Sequence, residues 1–196
     1  MPQRVDHDQR RRVIAEAVWR IAADRGLDSV SMREVATEAG VSLRLVQYYF
    51  ETKHNLLVLA LRYLHDHTEQ RARERIEAQA DQSVRGVLRG VLAELLPLDP
   101  ETEFALRVHT AYFSRSHSDP ELAKVFLHGD TPLEDLVTHL LEQGELAPGV
   151  QPRFEANLLV SGITGLSFDV LHERQRSAEV LATLDYHLDR IFGPAR

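Results

Sequence analysis

A short run of side chains in the first third of the chain has the chemistry needed to bind the edges of base pairs or the phosphates beside them. Arg44 can donate two parallel hydrogen bonds to guanine O6 and N7, and Gln47 can pair with adenine or with a phosphate. Leu43 can contact a thymine methyl group. Tyr48, Tyr49 and Lys53 suit phosphate oxygens. These residue types predict contacts with nucleic acid if one element of the fold presents them together.

The residues around this run predict a helix-turn-helix. Ser31 is followed three residues later by Glu34, which is the spacing of a capping box, so a short helix is predicted to begin there and to stop at Gly40. Ser42 is predicted to cap a second short helix that ends at about Phe50. A glycine lets the tight connection enter a left-handed conformation, and two helices joined in this way cross at a steep angle. The second helix would then offer its N-terminal residues to the major groove of DNA, although spacing alone leaves an ordinary helical hairpin as an alternative.

Residues 8–65 resemble the DNA-binding domain of the TetR family of bacterial transcriptional repressors. The first helix, the helix-turn-helix and the Tyr-Tyr-Phe-Glu-Thr-Lys run that ends at Lys53 carry this resemblance. The chain departs from the family pattern at Gln47, where an aromatic residue is usual, and at Arg44 and Leu45, where small residues are common. The expected DNA-binding residues are Ser31, Arg33, Ser42, Leu43, Arg44, Gln47, Tyr48, Tyr49 and Lys53.

Residues 119–192 look like the branch of the same family that is typified by the choline/betaine regulator. The resemblance implies a ligand-responsive homodimeric repressor that a small-molecule inducer releases from its operator. The implied partners are double-stranded operator DNA, the inducer and a second copy of the chain. The alternative from another functional class is an all-helical enzyme or small-molecule carrier in which the helix-turn-helix is incidental.

Helical periodicity extends over almost the whole chain, and the alternation typical of strands is nearly absent, so the predicted fold class is all-α. We expect an N-terminal three-helix DNA-binding domain over residues 1–52, with the start of helix four reaching to about residue 65, and a C-terminal helical ligand-binding and dimerisation domain over residues 53–196. Residues 1–65 carry 10 basic and 8 acidic side chains, whereas residues 66–196 carry 13 and 22, so a polyanion would approach the first part. The predicted helices cover residues 10–25, 31–40, 43–50, 52–80, 83–96, 101–116, 120–127, 131–143, 152–172 and 177–192.

Within the predicted helix at residues 152–172, the apolar stretch at residues 158–169 contains Gly162 and Gly165 in its interior. Each of these glycines costs about 1 kcal/mol relative to alanine, a cost that makes sense if another backbone approaches closely. Together with the apolar stripe of the last helix, this helix predicts a four-helix interface between two copies, and the alternative is a core helix of a monomer. The expected interface residues are Leu158, Gly162, Ile163, Gly165, Leu166, Leu184, Leu188 and Ile191.

The predicted helix at residues 101–116 carries large apolar side chains together with polar groups, which is typical either of core packing or of the wall of a ligand cavity. The family resemblance implies a pocket between the middle helices. No cluster of basic residues indicates a strongly acidic ligand, so an apolar or aromatic molecule is favoured. The expected ligand-binding residues are Phe104, Val108, His109, Tyr112, Phe126, Leu140 and Phe168.

The composition excludes several other classes of protein. The absence of cysteine excludes disulfide scaffolds, thiolate zinc sites and cysteine nucleophiles. No motif for a catalytic nucleophile or a bound nucleotide occurs, so we expect no enzyme, no catalytic residue and no cofactor. The spacing of the ten histidines favours structural roles over a metal site. No stretch of eighteen consecutive apolar residues occurs and no apolar signal follows the N-terminus, so we expect a cytoplasmic protein with no membrane partner.

Overall fold

The computed structural model describes residues 2–127 and 133–193, with side chains from residue 7 onward. Every regular element in these ranges is helical, which confirms the predicted all-α fold class. A 3-10 turn at Leu27–Ser29 follows the first helix, which begins eight residues earlier than the periodicity predicted. The predicted start of a helix at Thr131 lies outside the described residues. The helices are α1 (Pro2–Arg25), α2 (Met32–Glu38), α3 (Leu43–Phe50), α4 (Lys53–Ala78), α5 (Val84–Ala93), α6 (Pro100–Ser116), α7 (Pro120–Leu127), α8 (Leu133–Glu142), α9 (Pro152–Leu171) and α10 (Ser177–Phe192).

The chain divides into two compact units. The first unit comprises Met1–Glu69 and Arg107–Gly129, and the second comprises Gln70–Leu106 and Asp130–Arg196. Helices α4 and α6 each begin in one unit and continue in the other. The predicted functional boundary at residue 52 stays a prediction, because compactness alone does not say which residues bind DNA.

The first unit is held together by apolar packing and by two side-chain donors that bind the backbone of α4. Ile14 and Val18 of α1 are fully buried, as their helical spacing predicts. The indole Nε1 of Trp19 donates a hydrogen bond to the backbone oxygen of Ala60 at 2.9 Å. The hydroxyl of Tyr112, on α6, donates to the backbone oxygen of Leu57, also at 2.9 Å. Both donors are buried, and each therefore satisfies a polar group that would otherwise be desolvated without a partner.

The second unit has its own core, in which one stripe of each of α5, α8, α9 and α10 packs together. Arg89 of α5 donates two hydrogen bonds to Asp185 of α10, at 2.6 and 3.0 Å. Arg85 donates to Asp189 at 2.6 Å, one turn earlier on α5 and one turn later on α10. These ion pairs are partly exposed, so they align α5 with α10 while the apolar stripe supplies most of the stability.

Asp99 caps the N-terminus of α6. Its Oδ1 atom accepts hydrogen bonds from the backbone N–H groups of Thr102 at 2.8 Å and Glu101 at 3.0 Å, and Arg75 donates to Oδ2 at 2.6 Å. The backbone hydrogen bond from Thr102, with the contribution of Arg75, lowers the pKa of Asp99 to about 2. The ionised carboxylate therefore stabilises this helix terminus at neutral pH.

We expect Asp99→Ala to lower the free energy of unfolding at pH 7 by about 1–2 kcal/mol, which is the usual cost of a lost helix cap. Because the folded-state pKa is depressed, this contribution is complete well above the usual carboxyl pKa and is lost as the pH falls towards 2. Urea denaturation at pH 7 and pH 3 measures the effect. The exposed Asp24→Ala variant is the control, and an Asp99→Ala deficit that did not shrink at pH 3 would contradict the assignment.

Candidate DNA-binding surface and effector site

The helix-turn-helix forms where the sequence predicts it, because each of its short helices is capped locally. The Oγ atom of Ser31 accepts a hydrogen bond from the backbone N–H of Glu34 at 3.2 Å, which starts α2. Gly40 adopts a φ of +66° and turns the chain after α2, as its left-handed conformation requires. The Oγ atom of Ser42 then accepts from the backbone N–H of Leu45 at 3.2 Å, which starts α3. Both serine hydroxyls therefore have a structural role before any ligand is bound.

Helix α3 has one buried face and one exposed face. Val46 and Phe50, four residues apart, are buried in the first unit. Arg44 and Gln47 are exposed, and the side chain of Tyr48 is 71% exposed. The residues that sequence analysis assigned to base contacts therefore face outward, where a duplex could reach them.

The predicted DNA-binding surface contains cationic side chains that the protein itself does not neutralise. Elsewhere in the first unit, Arg20 is paired with Glu38 at 2.7 Å, which ties α1 to α2. In the part of the chain that the structure describes, Arg33, Arg44 and Lys53 have no salt-bridge partner, and all three are exposed. When exposed cations of a protein neutralise DNA phosphates, the counterions condensed on the DNA are released. This release is the main source of affinity for DNA.

Besides the helix cap Ser31, two predicted DNA-binding residues are less accessible than the others. Leu43, at the first position of α3, is half-buried. Tyr49 is also half-buried, and its hydroxyl oxygen lies 2.7 Å from the Nδ1 atom of His7 on α1. Sequence analysis did not single out His7, because no local pattern links two residues so far apart in the chain.

The first unit contains four of the seven predicted ligand-binding residues, and two of them, His109 and Phe126, lie in an aromatic cluster. The imidazole of His109 stacks on that of His65 with ring centroids 5.3 Å apart and an angle of 11° between the planes. The other neighbour of His109 is Phe126, at 5.9 Å, and Phe113 lies 5.8 Å from Phe126. The other two predicted ligand-binding residues of the first unit are Val108 and Tyr112, and both are fully buried.

The two stacked histidines are uncharged at neutral pH. Burial lowers the pKa of His109 to about 3, and the neighbouring His65 lowers it further in the same direction. Burial also lowers the pKa of His65, against a smaller opposing effect of Asp66. The cluster thus offers neutral imidazole rings with one donor and one acceptor nitrogen each. Sequence analysis missed His65 and Phe113, and only the tertiary structure brings them against the predicted residues.

The other three predicted ligand-binding residues belong to the second unit. Phe104, Leu140 and Phe168 are half-buried, and Leu140 packs against the core of that unit. Their assignment to a ligand site stays a prediction.

Helix α9 has an apolar face that its own subunit leaves uncovered. Phe154 is 73% exposed and Leu158 is 65% exposed, and these two residues share a stripe with Gly162 and Gly165. A Cβ atom built at either glycine would meet nothing within 4 Å, so packing inside the subunit does not require glycine there. Tyr186 on α10 is 60% exposed. Exposed apolar surface of this kind marks an interaction site.

Four predicted interface residues are instead part of the core of the second unit. The reason is that α9 and α10 must each use one apolar stripe to close their own subunit, and these residues lie on that stripe. An interface must therefore use the adjoining face, which includes the half-buried Leu166 and the predicted Leu158, Gly162 and Gly165. The predicted interface residues that the structure instead buries in the core are Ile163, Leu184, Leu188 and Ile191, with exposures of 3%, 1%, 0% and 3%.

Among the described residues, one helix is long and apolar enough to cross a membrane, and it is α9. The sequence predicted no membrane-spanning helix, because it contains no uninterrupted stretch of eighteen apolar residues. Only 28% of the most apolar window of α9 is buried. One such helix is weak evidence for a membrane span, because apolar helices of globular proteins pass the same test.

Two family profiles match the chain. Residues 14–60 match the bacterial regulatory proteins of the tetR family, and residues 84–193 match the C-terminal domain of BetI-type transcriptional repressors. The chain belongs to the TetR family of transcriptional regulators. The resemblance predicted from residues 8–65 and 119–192 is thereby confirmed.

Individual TetR-family proteins are similar to the chain over most of its length. The transcriptional regulator PksA of Bacillus subtilis is 28% identical over 87% of this chain and 83% of its own length. A transcriptional regulator from Rhodococcus superposes with a TM-score of 0.80 and 27% identity, covering 92% of this chain and 95% of that one. A transcriptional regulator from Saccharomonospora viridis, solved in complex with choline, superposes with a TM-score of 0.81 and 22% identity. The match covers 94% of this chain and 98% of that one, which shows a shared fold.

Membership of the TetR family decides between the two functional classes left open by the sequence. The chain is a DNA-binding transcriptional repressor of the BetI type, and it is not an enzyme. TetR-type regulators bind operator DNA and a small-molecule ligand and form dimers.

Proposed function

We propose that this TetR-family repressor reads its operator through the exposed face of α3. Arg44 and Gln47 contact base edges, and Leu43 contacts a thymine methyl group at the edge of the same face. The observation that carries the proposal is that Arg44 is exposed and unpaired within the described residues, on a helix whose opposite face is buried. Such a side chain gains partners only when a ligand arrives.

The remaining predicted residues contact the DNA backbone or orient the reading helix. Arg33, Tyr48 and Lys53 are exposed and suit phosphate oxygens, and the hydroxyl of the half-buried Tyr49 is a further phosphate contact. Lys53 is the first residue of α4, where backbone N–H groups also favour an anion. Ser31 and Ser42 act mainly as helix caps that set the angle of α3. On this basis residues 1–52, with the start of α4 to about residue 65, form the DNA-binding domain, and residues 53–196 bind the ligand and dimerise.

The experiment that tests this function is selection of a duplex from a randomised DNA library by the purified protein. We expect an inverted repeat whose half-sites lie one helical turn apart or a multiple of it, because a two-fold dimer presents two copies of α3. Failure to enrich any sequence, or enrichment of a site without two-fold symmetry, would contradict the proposal. We also infer that the protein acts in the cytoplasm, where bacterial DNA is found.

We propose that the effector binds at the aromatic cluster formed by His65, His109, Phe113 and Phe126, together with the predicted residues Val108 and Tyr112 of the same unit, and that it is uncharged. Burial and His65 account for the lowered pKa of His109, and no described carboxylate raises it. A cation bound against His109 would lose its hydration, and the nearest carboxylate that acts on the cluster is the exposed Asp66, whose effect on His65 is smaller than that of burial. Release from the operator then follows if the effector prefers the conformation that binds DNA less well.

The choline complex of the S. viridis relative suggests a matched pair of probes. Choline and its neutral isostere 3,3-dimethylbutan-1-ol have nearly the same shape and differ in one charge. We expect the neutral isostere to raise the melting temperature of this protein more than choline does at equal concentration, and we expect His109→Leu to remove the difference. A larger shift with choline would contradict an uncharged effector at this cluster. Thermal unfolding without DNA is the measurement, so the outcome does not depend on the operator.

We propose that dimers form through the uncovered face of α9, which is defined by Phe154, Leu158, Gly162, Gly165 and Leu166, with Tyr186 of α10 beside it. The glycines allow the backbone of a second copy to approach closely, which explains their presence where the subunit alone leaves open space. Two copies of α9 and α10 would form a four-helix interface.

A further inference from the structure

The N-terminal part of α1 carries two side chains that bind the last turn of α3. The Nδ1 atom of His7 and the hydroxyl oxygen of Tyr49 are 2.7 Å apart, and their rings meet edge to face with centroids 5.7 Å apart. One helical turn further along α1, the guanidinium of Arg11 lies over the ring of Tyr49, 5.7 Å from its centroid. Both contacts join residues about forty positions apart, so they fix α1 against α3 as a tertiary feature.

The surroundings of this pair are polar and charged. On α1, Arg11 is 3.9 Å from Asp8. On α3, Tyr48 meets Tyr49 edge to face with centroids 5.2 Å apart. On α4, Tyr63 shares a hydrogen bond with Arg11, and burial, reinforced by Asp8, raises the pKa of Tyr63. Tyr63 therefore remains a neutral phenol near neutral pH.

The chemistry of a phenol hydroxyl explains why the partner of Tyr49 matters. Its single proton can be donated either to His7 or to an outside acceptor such as a phosphate oxygen. When the imidazole of His7 is protonated, Nδ1 must donate, so the phenol oxygen accepts and the phenol proton points away from His7. A hydrogen bond from a charged donor also polarises the phenol and strengthens its own donation. Protonated His7 thus prepares Tyr49 to bind a phosphate.

We propose that His7 is a positioning residue for DNA binding: it holds the hydroxyl of Tyr49 towards a backbone phosphate and takes up a proton when the duplex binds. The inference rests on the proposed role of Tyr49 as a phosphate contact. The negative charge of the duplex favours the protonated imidazole, so by linkage the affinity for DNA rises as the pH falls through the range in which histidine takes up a proton. Arg11, stacked on the same ring, fixes the orientation of the phenol.

Three variants test the proposal by fluorescence anisotropy with the duplex that the wild-type protein selects, at constant salt between pH 8 and pH 5.5. His7→Asn keeps a neutral donor near the position of Nδ1, His7→Gln moves it away, and Tyr49→Phe removes the hydroxyl. We expect the affinity of the wild type to increase over this range about fivefold to tenfold more than that of His7→Asn, the value of a charge-assisted hydrogen bond. We expect His7→Gln to bind more weakly than His7→Asn at pH 8.

The double variant and a control separate this role from a general effect on folding or charge. If His7 acts through Tyr49, the His7→Gln/Tyr49→Phe protein should bind no more weakly than Tyr49→Phe alone. His172→Asn, an exposed histidine of the second unit, should keep the pH dependence of the wild type. The proposal is overturned if His7→Asn keeps that dependence, or if the two changes add. Failure of the wild type to select any duplex would instead overturn the DNA-reading surface on which the inference rests.

Discussion

Leu158→Asp is expected to split the dimer and to abolish operator binding at concentrations where the wild type is bound. At the proposed interface each subunit buries this side chain, so the substitution buries one unpaired carboxylate per subunit in place of an apolar contact. Burying a charge without a partner costs several kcal/mol per site, which corresponds to a weakening of the dimer by two orders of magnitude or more. Loss of the dimer also removes the simultaneous binding of two half-sites.

Sedimentation equilibrium measures the dimer directly, and anisotropy with the selected duplex measures its consequence. The matched control is Thr164→Asp, which places the same carboxylate on an exposed position about a third of a turn around α9. It should leave both measurements unchanged. A Leu158→Asp protein that remains dimeric with unchanged helicity would show that the face of α9 defined above is not the interface.

Arg44→Ala is expected to weaken binding to the selected duplex by about 1–3 kcal/mol and to relax the choice of base at one position in each half-site. The reason is that an arginine fork reads guanine through two hydrogen bonds that alanine cannot make. Lys53→Ala should behave differently, because a phosphate contact carries no sequence information. It should weaken binding to all sequences by a similar factor and reduce the slope of log affinity against log salt by about one for each subunit of the dimer.

The two variants serve as controls for each other when both are measured on the selected duplex and on a scrambled duplex of equal length. We expect the affinity ratio between the two duplexes to fall for Arg44→Ala and to stay constant for Lys53→Ala. If the ratio stayed constant for Arg44→Ala, the exposed face of α3 would be a phosphate-binding surface, and another element would have to read the bases.

The helix-turn-helix could be predicted from the sequence because its determinants are local. Ser31 and Ser42 cap helices through atoms three residues away, and Gly40 supplies a positive φ that other residues avoid. Val46 and Phe50 settle which face of α3 is buried, so the exposed positions follow without further information. The family profiles confirm the motif and leave the individual contacts to experiment.

The interface face of α9 could not be predicted in the same way. Ile163 and Leu158 are both apolar and both lie on this helix, and nothing in their residue types says which one closes the core of the subunit. The structure resolves this because Ile163 packs among α5, α8 and α10 side chains, whereas Leu158 remains exposed. The stacking of His65 on His109 and the bond between His7 and Tyr49 were missed for a related reason, since each joins helices that are distant in the chain.

The bonds that Trp19 and Tyr112 donate to α4 have a consequence for how such a regulator can diversify. Both bind backbone oxygens, so the longitudinal position of α4 is set by main-chain atoms and is insensitive to the identity of the amino acids at positions 57 and 60. Evolution or an engineer can therefore change the effector-facing side chains of α4, such as His65, while these two bonds keep the register of the helix. Libraries for inducible expression systems built on this scaffold should vary those positions and leave Trp19, Tyr112 and the DNA-contacting Lys53 untouched.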